Sequence, residues 1–157
     1  MFADVVDALN KLLQKERQFY LSVDSANLFK TIKAAFKDTI TFSYLDFTKP
    51  FIVECDASDF SIGGVLSQVI RPGVEQPVSY LSRTLSQPER KYAMTRKEML
   101  ALVDLLCHFH CYIYGKKFKV RTDYSALQRL RTFRELVGPV ARWIERLAEY
   151  DFDIEHR

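Results

Sequence analysis

Three acidic residues stand where the chain changes its pattern: Asp56 after the apolar run 51–55, Glu98 near the start of a long amphipathic stretch, and Asp123 after the run 118–122. Strand ends and adjoining helix starts are where α/β sheets form ligand sites. Each acid also has a purely structural explanation, which is the stronger one when the residue is taken singly. Asp56 can make an Asx-turn, with Asp59 competing for the same role. Thr95 and Glu98 fit a capping box, and Asp123 can cap a following helix. Glu98 carries one more feature. It falls in register with Ala101, Leu102, Leu105 and Phe109, so it faces inward, and an inward acid needs a partner such as a metal ion. The combination changes the balance, because three carboxylates meeting at one sheet edge repel unless divalent cations neutralise them. Hard oxygen donors suit magnesium, and two such ions about 4 Å apart stabilise the attacking and leaving oxygens of an in-line phosphodiester displacement. No lysine or histidine base is then needed.

Other constellations offer less. Cys107, His108, His110 and Cys111 are zinc-ligand types, but only the two cysteines share a helical face, and the neighbouring Leu105, Leu106, Phe109 and Tyr112 read as helix core. Lys30, Lys33 and Lys37 share a helix face whose simplest reading is solvation. No phosphate loop, nucleophile elbow or Ser/His/Asp arrangement is present.

The elements that must position the acids follow from periodicity. An apolar stripe from Phe2 to Leu13 predicts a first helix, and Asp24 and Ser25 offer cap chemistry for a second one carrying Leu28, Ile32 and Phe36. Strands are expected at 51–55, 62–70 and 78–81, with Gly63-Gly64 permitting a bulge or close backbone approach and Arg71-Pro72-Gly73 a turn. A helix over 95–114, closed by Gly115, leads to a strand at 118–122. A short helix at 125–130, a helix opened by Gly138-Pro139 and a last strand at 152–157 complete the order. The result is an α/β architecture: a five-stranded mixed sheet flanked by helices, with a helical lead-in over 1–48 and the main domain over 49–157. Of the 157 residues, 48% are hydrophobic and 27% charged, which supports a packed core and argues against disorder. No run approaches the roughly 20 apolar residues of a membrane span, and no secretory signal is visible. Three cysteines point to a reducing compartment, and a net charge of +3 is too weak by itself to argue for nucleic acid.

Five ordered blocks carry a family resemblance: ECDAS at 54–58, SYLSRTLSQPERKY at 79–92, TRKEMLALV at 95–103, RTDYSALQRL at 121–130 and RWIERLAEYDFDIEHR at 142–157. Together they resemble the ribonuclease H domain of gypsy-type LTR retrotransposon reverse transcriptases, and the preceding helices resemble the connection to the polymerase. The resemblance implies a ribonuclease H-like fold, with Asp56, Glu98 and Asp123 as catalytic and metal-holding acids. Asp59 drops out, because the family aligns the residue directly before Ala-Ser. Two Mg2+ ions per site, replaceable by Mn2+, are implied, with Asp56 bridging both. The implied activity is endonucleolytic hydrolysis of the RNA strand of an RNA/DNA hybrid.

The implied partners are that hybrid and the polymerase part of the same polyprotein, with no membrane and no small-molecule cofactor, in the cytoplasm within virus-like particles. Ser58, Arg83 and Ser125 are candidate hybrid contacts. The family shows Thr-Asp-His where this chain has Thr122-Asp123-Tyr124, and Trp-Arg near Phe109-His110. It also continues past the His-Arg block to an Ala-Asp-Ala-Leu-Ser-Arg segment bearing a fourth acid, whereas this sequence stops at Arg157; the expectation is a truncated domain with metal binding but poor cleavage. Two rivals remain. Integrase-type members of the superfold order their acids Asp, Asp, Glu, unlike the order here. A domesticated or structural copy would serve as a tethering or binding module, and such copies tend to lose their acids.

Overall fold

The computed structural model describes residues 20, 22–39, 45–122 and 139–156, with backbone alone over 35–39. The first predicted helix, the one at 125–130, Asp123 and Ser125 lie outside the described residues. The chain divides into two compact units, Met1–Thr41 and Phe42–Arg157. In the first, helix α1 (Val23–Thr39) starts under the Ser22 hydroxyl, which accepts the Ser25 amide at 3.2 Å. The cap therefore lies ahead of Asp24 and Ser25, and Asp24 instead places its charge on the first turn, where the helix dipole favours it.

The second unit is built on a five-stranded sheet in the order β3-β2-β1-β4-β5. Strand β1 (Phe51–Ala57) runs antiparallel to β2 (Ser61–Arg71), from Phe51↔Gln68 to Ala57↔Ile62. A two-residue turn at Pro72-Gly73, with Gly73 at φ +77°, returns the chain as β3 (Val74–Thr84). This strand is longer than the 78–81 expected from sequence. It lies at the sheet edge, where a proline such as Pro77 is tolerated, and the register shifts between Leu66 and Ser67, opposite it. No bulge forms at Gly63-Gly64. The close approach does: a Cβ on Gly64 would run into the Glu54 carbonyl and lie 2.7 Å from Leu105 Cδ1.

A short helix absent from the sequence reading, α2 (Gln87–Arg90), precedes α3 (Met94–His108). Its signal was present in Ser86 and Glu89: the Glu89 carboxylate reaches back to accept the Ser86 amide at 2.7 Å. The expected single helix over 95–114 is interrupted at Phe109, whose carbonyl takes the tighter bond from Tyr112 at 2.8 Å, and resumes as α4 (His110–Ile113). Gly115, at φ +71°, then turns the chain into β4 (Lys117–Thr122). Helix α5 (Pro139–Ala148) leads to β5 (Asp151–His156), and both β4 and β5 run parallel to β1.

Helix α3 packs on β1 and β2 and against α5. Between helices and sheet lies the core: Phe51, Val53 and Cys55 of β1, Leu66, Phe118 and Val120 meet Leu102, Leu105, Leu106, Phe109 and Leu147. Side chains of this size contribute about 1.5–3 kcal/mol each when fully buried, which holds α3 in place. The other sheet face is charged. Lys117 and Lys119 pair with Asp153 and Glu155 across the parallel strands. Gln68, fully buried, donates to the Asp46 carbonyl at 2.7 Å and accepts its amide at 3.1 Å, tying the segment before β1 to β2.

Candidate active site

Asp56 is the sixth residue of β1, exposed, opposite Gly63 of β2. It alternates with the inward Cys55 and Ala57 and lies past Glu54↔Arg121, the last pair joining β1 to β4 among the described residues. It therefore stands near the carboxyl end of a central strand, which is where α/β sheets bind ligands. Beyond Asp56, the chain closes a tight turn. Ser58 donates its amide to the Ser61 carbonyl at 2.8 Å, and its hydroxyl accepts the Ser61 amide at 3.0 Å. Ser58, expected as a hybrid contact, is thus engaged in building the turn.

Glu98 lies within α3 and is 3% exposed. The capping explanation for it does not hold. The helix starts one residue before Thr95, its cap is Ala93, and the Ala93 carbonyl accepts the amides of Arg96 and Lys97. Glu98 is therefore too deep in the helix to reach the cap. Its Oε2 is buried and accepts no hydrogen bond, while the residue has other interactions with its surroundings.

Two observations bring the start of α3 to the end of β1. Lys97, beside Glu98, donates to Asp59 Oδ1 at 2.7 Å. Ala57, beside Asp56, shares one buried cluster with Ile62, Leu85, Leu100 and Ala101. Asp59, the competitor of Asp56, is consequently occupied by a lysine. No group of three metal-binding side chains forms among the described residues, from which Asp123 is absent. Cys107, His108, His110 and Cys111 form no such group either; all four are exposed, and His110 Nδ1 lies 2.9 Å from the Tyr150 hydroxyl.

A family model described as an RNase H-like domain found in reverse transcriptase matches residues 46–150. The chain belongs to that family. The domain is 31% identical over 156 residues to the retrovirus-related Pol polyprotein from transposon 297 of Drosophila melanogaster, covering 99% of this chain and 14% of that protein. It is 35% identical over 130 residues to the Pol polyprotein from transposon opus of the same organism, covering 82% and 13%. The chain thus spans about one seventh of the curated relatives' length, and the gypsy-type resemblance is borne out. Among solved structures, a foamy viral protease-reverse transcriptase dRH in complex with double-stranded DNA superposes with TM-score 0.80 at 15% identity, over 99% of this chain and 28% of that one. LC11-RNase H1 in complex with an RNA/DNA hybrid gives 0.51 at 14% identity, over 68% and 84%. These likenesses establish the ribonuclease H-like fold, a mixed five-stranded sheet with flanking helices.

Within the domain, two arginines gather carboxylates from neighbouring elements. Arg83, expected to touch hybrid, is held by Asp104 of α3 and by both oxygens of Glu89 on α2. It clamps β3 to both helices, and a phosphate would have to displace two carboxylates to reach it. The Arg83 guanidinium holds the Glu89 carboxyl at about 2, and its own pKa is raised, first by Glu89. Arg121 of β4 gathers Glu54 of β1, Glu75 of β3 and Glu155 of β5. It holds the Glu75 carboxyl below its usual range. Both arginines lay inside the quoted sequence blocks, but nothing in their spacing shows which acids the fold brings to them.

Proposed function

We propose that this domain hydrolyses the RNA strand of RNA/DNA hybrids by a two-metal mechanism in which Asp56, Glu98 and Asp123 hold the ions. The burial of Glu98, 3% exposed at the end of α3 that packs toward the β1–β2 turn, carries the reading. A carboxylate in that setting is costly unless a cation is near, and its hard oxygen donors fit magnesium. Asp56 supplies an exposed carboxylate one residue before the end of β1, and Asp123 directly follows Thr122, the last residue of β4. When bound, such ions polarise the phosphodiester and lower the pKa of a water nucleophile. The protein's part would be to hold these carboxylates on a strand end and a helix, with Asp56 serving both ions and Glu98 and Asp123 the one on the leaving-group side.

The partner class follows from the same reading. LC11-RNase H1, which shares this fold, is seen in complex with an RNA/DNA hybrid, and recognition of a hybrid by backbone shape, 2′-hydroxyls and phosphates makes cleavage tolerant of sequence. Helix α4 ends at Ile113 and β4 begins at Lys117, which leaves no space for an added basic helix.

Calorimetric titration with Mg2+ and Mn2+, with a hybrid-cleavage assay alongside, tests the proposal. The expected result is cation binding by residues 1–157 that Asp56→Asn abolishes, and cleavage in a form that also carries the family's fourth acid. Full cleavage by Asp56→Asn refutes the site. A chain that binds hybrid but neither binds cations nor cleaves is the tethering module instead.

A further inference from the structure

Among the described residues, Lys97 and Glu98 are the two buried charged side chains, and they are neighbours in α3. The proposed chemistry uses the glutamate and gives the lysine nothing to do. Burying an ammonium is expensive, and a buried ion pair can often be replaced by apolar side chains without loss of stability. Stability alone therefore gives no reason for a lysine at this position. Its geometry does. The Lys97 side chain is 4% exposed, while that of Asp59 is 78% exposed, so the 2.7 Å bond runs from beneath the helix out to the β1–β2 turn. That turn is already closed on itself by the Ser58–Ser61 bonds, so fastening Asp59 fastens the whole turn. Asp56 lies just before the turn and Glu98 just after the lysine. A lysine buried to this degree and bonded to Asp59 is not available to a phosphate.

We propose that the Lys97–Asp59 pair is a positioning device that fixes the separation of the Asp56 and Glu98 carboxylates for divalent-cation binding. This rests on the metal-dependent reading above, but the fastening itself can be read without metal. The Lys97→Met/Asp59→Asn double variant removes the pair and leaves the net charge unchanged.

Two measurements on residues 1–157 decide it. Amide hydrogen exchange at Phe60 and Ser61 should quicken in the double variant without metal, while the thermal midpoint holds or rises. Mn2+ affinity, followed by electron paramagnetic resonance, should fall about tenfold, the scale of outer-shell losses at metal sites, and no further than in the weaker single variant. Charge alone makes the opposite forecast for Lys97→Met, which removes a cation and should tighten Mn2+. Lys97→Arg, which keeps the charge and a donor, should restore part of the affinity. Unchanged exchange in the double variant, or Mn2+ affinity equal to the unmodified chain, overturns the positioning role. An unmodified chain whose Mn2+ response equals that of Asp56→Asn overturns the metal reading, and the role of the pair with it.

Discussion

Glu89 shows how much one carboxylate can contribute when two elements converge on it. Its pKa stands at about 2 against an ordinary 4.5, chiefly through the hydrogen bonds from Arg83. A depressed folded-state pKa gives stabilisation that is fully present above about 4.5 and is lost as pH falls through 2. Urea unfolding across a pH series should therefore show Glu89→Gln less stable than the unmodified chain by about 1 kcal/mol at neutral pH, allowing for the partial exposure of the pair. That difference should shrink steadily below pH 4.5. A gap that persists undiminished to pH 2 would mean that the ion pair is not its source. The candidate acids stood out in the sequence because each sits at a change of periodicity, and of the two that are described Asp56 lies near the end of β1 and Glu98 inside α3. The basic partners did not stand out, since Arg83 meets an acid 21 positions away and Arg121 one 67 positions away, and only the folded sheet brings these together.

At the scale of elements, the packing of α3 on the sheet hinges on Gly64. An alanine there would collide with the Glu54 carbonyl and with Leu105, neither of which can move without shifting β1 or α3. Gly63→Ala meets the Leu81 carbonyl at 3.1 Å, which a small adjustment of an edge strand relieves. Thermal melts should thus show Gly64→Ala destabilised by about 1–3 kcal/mol or more, and Gly63→Ala by much less. Equal losses would contradict this packing. The sequence showed all five strands because their apolar runs are bounded by turn residues. It gave β3 too short because Pro77 interrupts the pattern, and it merged α3 with α4 because Phe109 and Ile113, both buried, continue the apolar stripe through the break.

At the scale of the whole molecule, the charge is modest, and neither Arg83 nor Arg121 is free to meet phosphates. Hybrid binding by residues 1–157 alone should accordingly be weak and fall steeply as salt rises, which fluorescence anisotropy at several salt concentrations can measure. Tight binding at high salt would contradict it. The strand order also bears on how the chain is made. Strands β1, β2 and β3 pair with their immediate neighbours in sequence, but the second edge of β1 is paired by β4, with Glu54 and Arg121 standing 67 positions apart. Contacts between distant residues form slowly, and synthesis runs from the N-terminus. On the ribosome, a nascent chain ending before residue 117 can therefore complete the three-stranded meander yet must carry β1 as an open edge, with its backbone donors and acceptors available to any other extended strand. Holding synthesis at that length should yield a species that captures strand-forming peptides, and releasing it through β4 should end the capture.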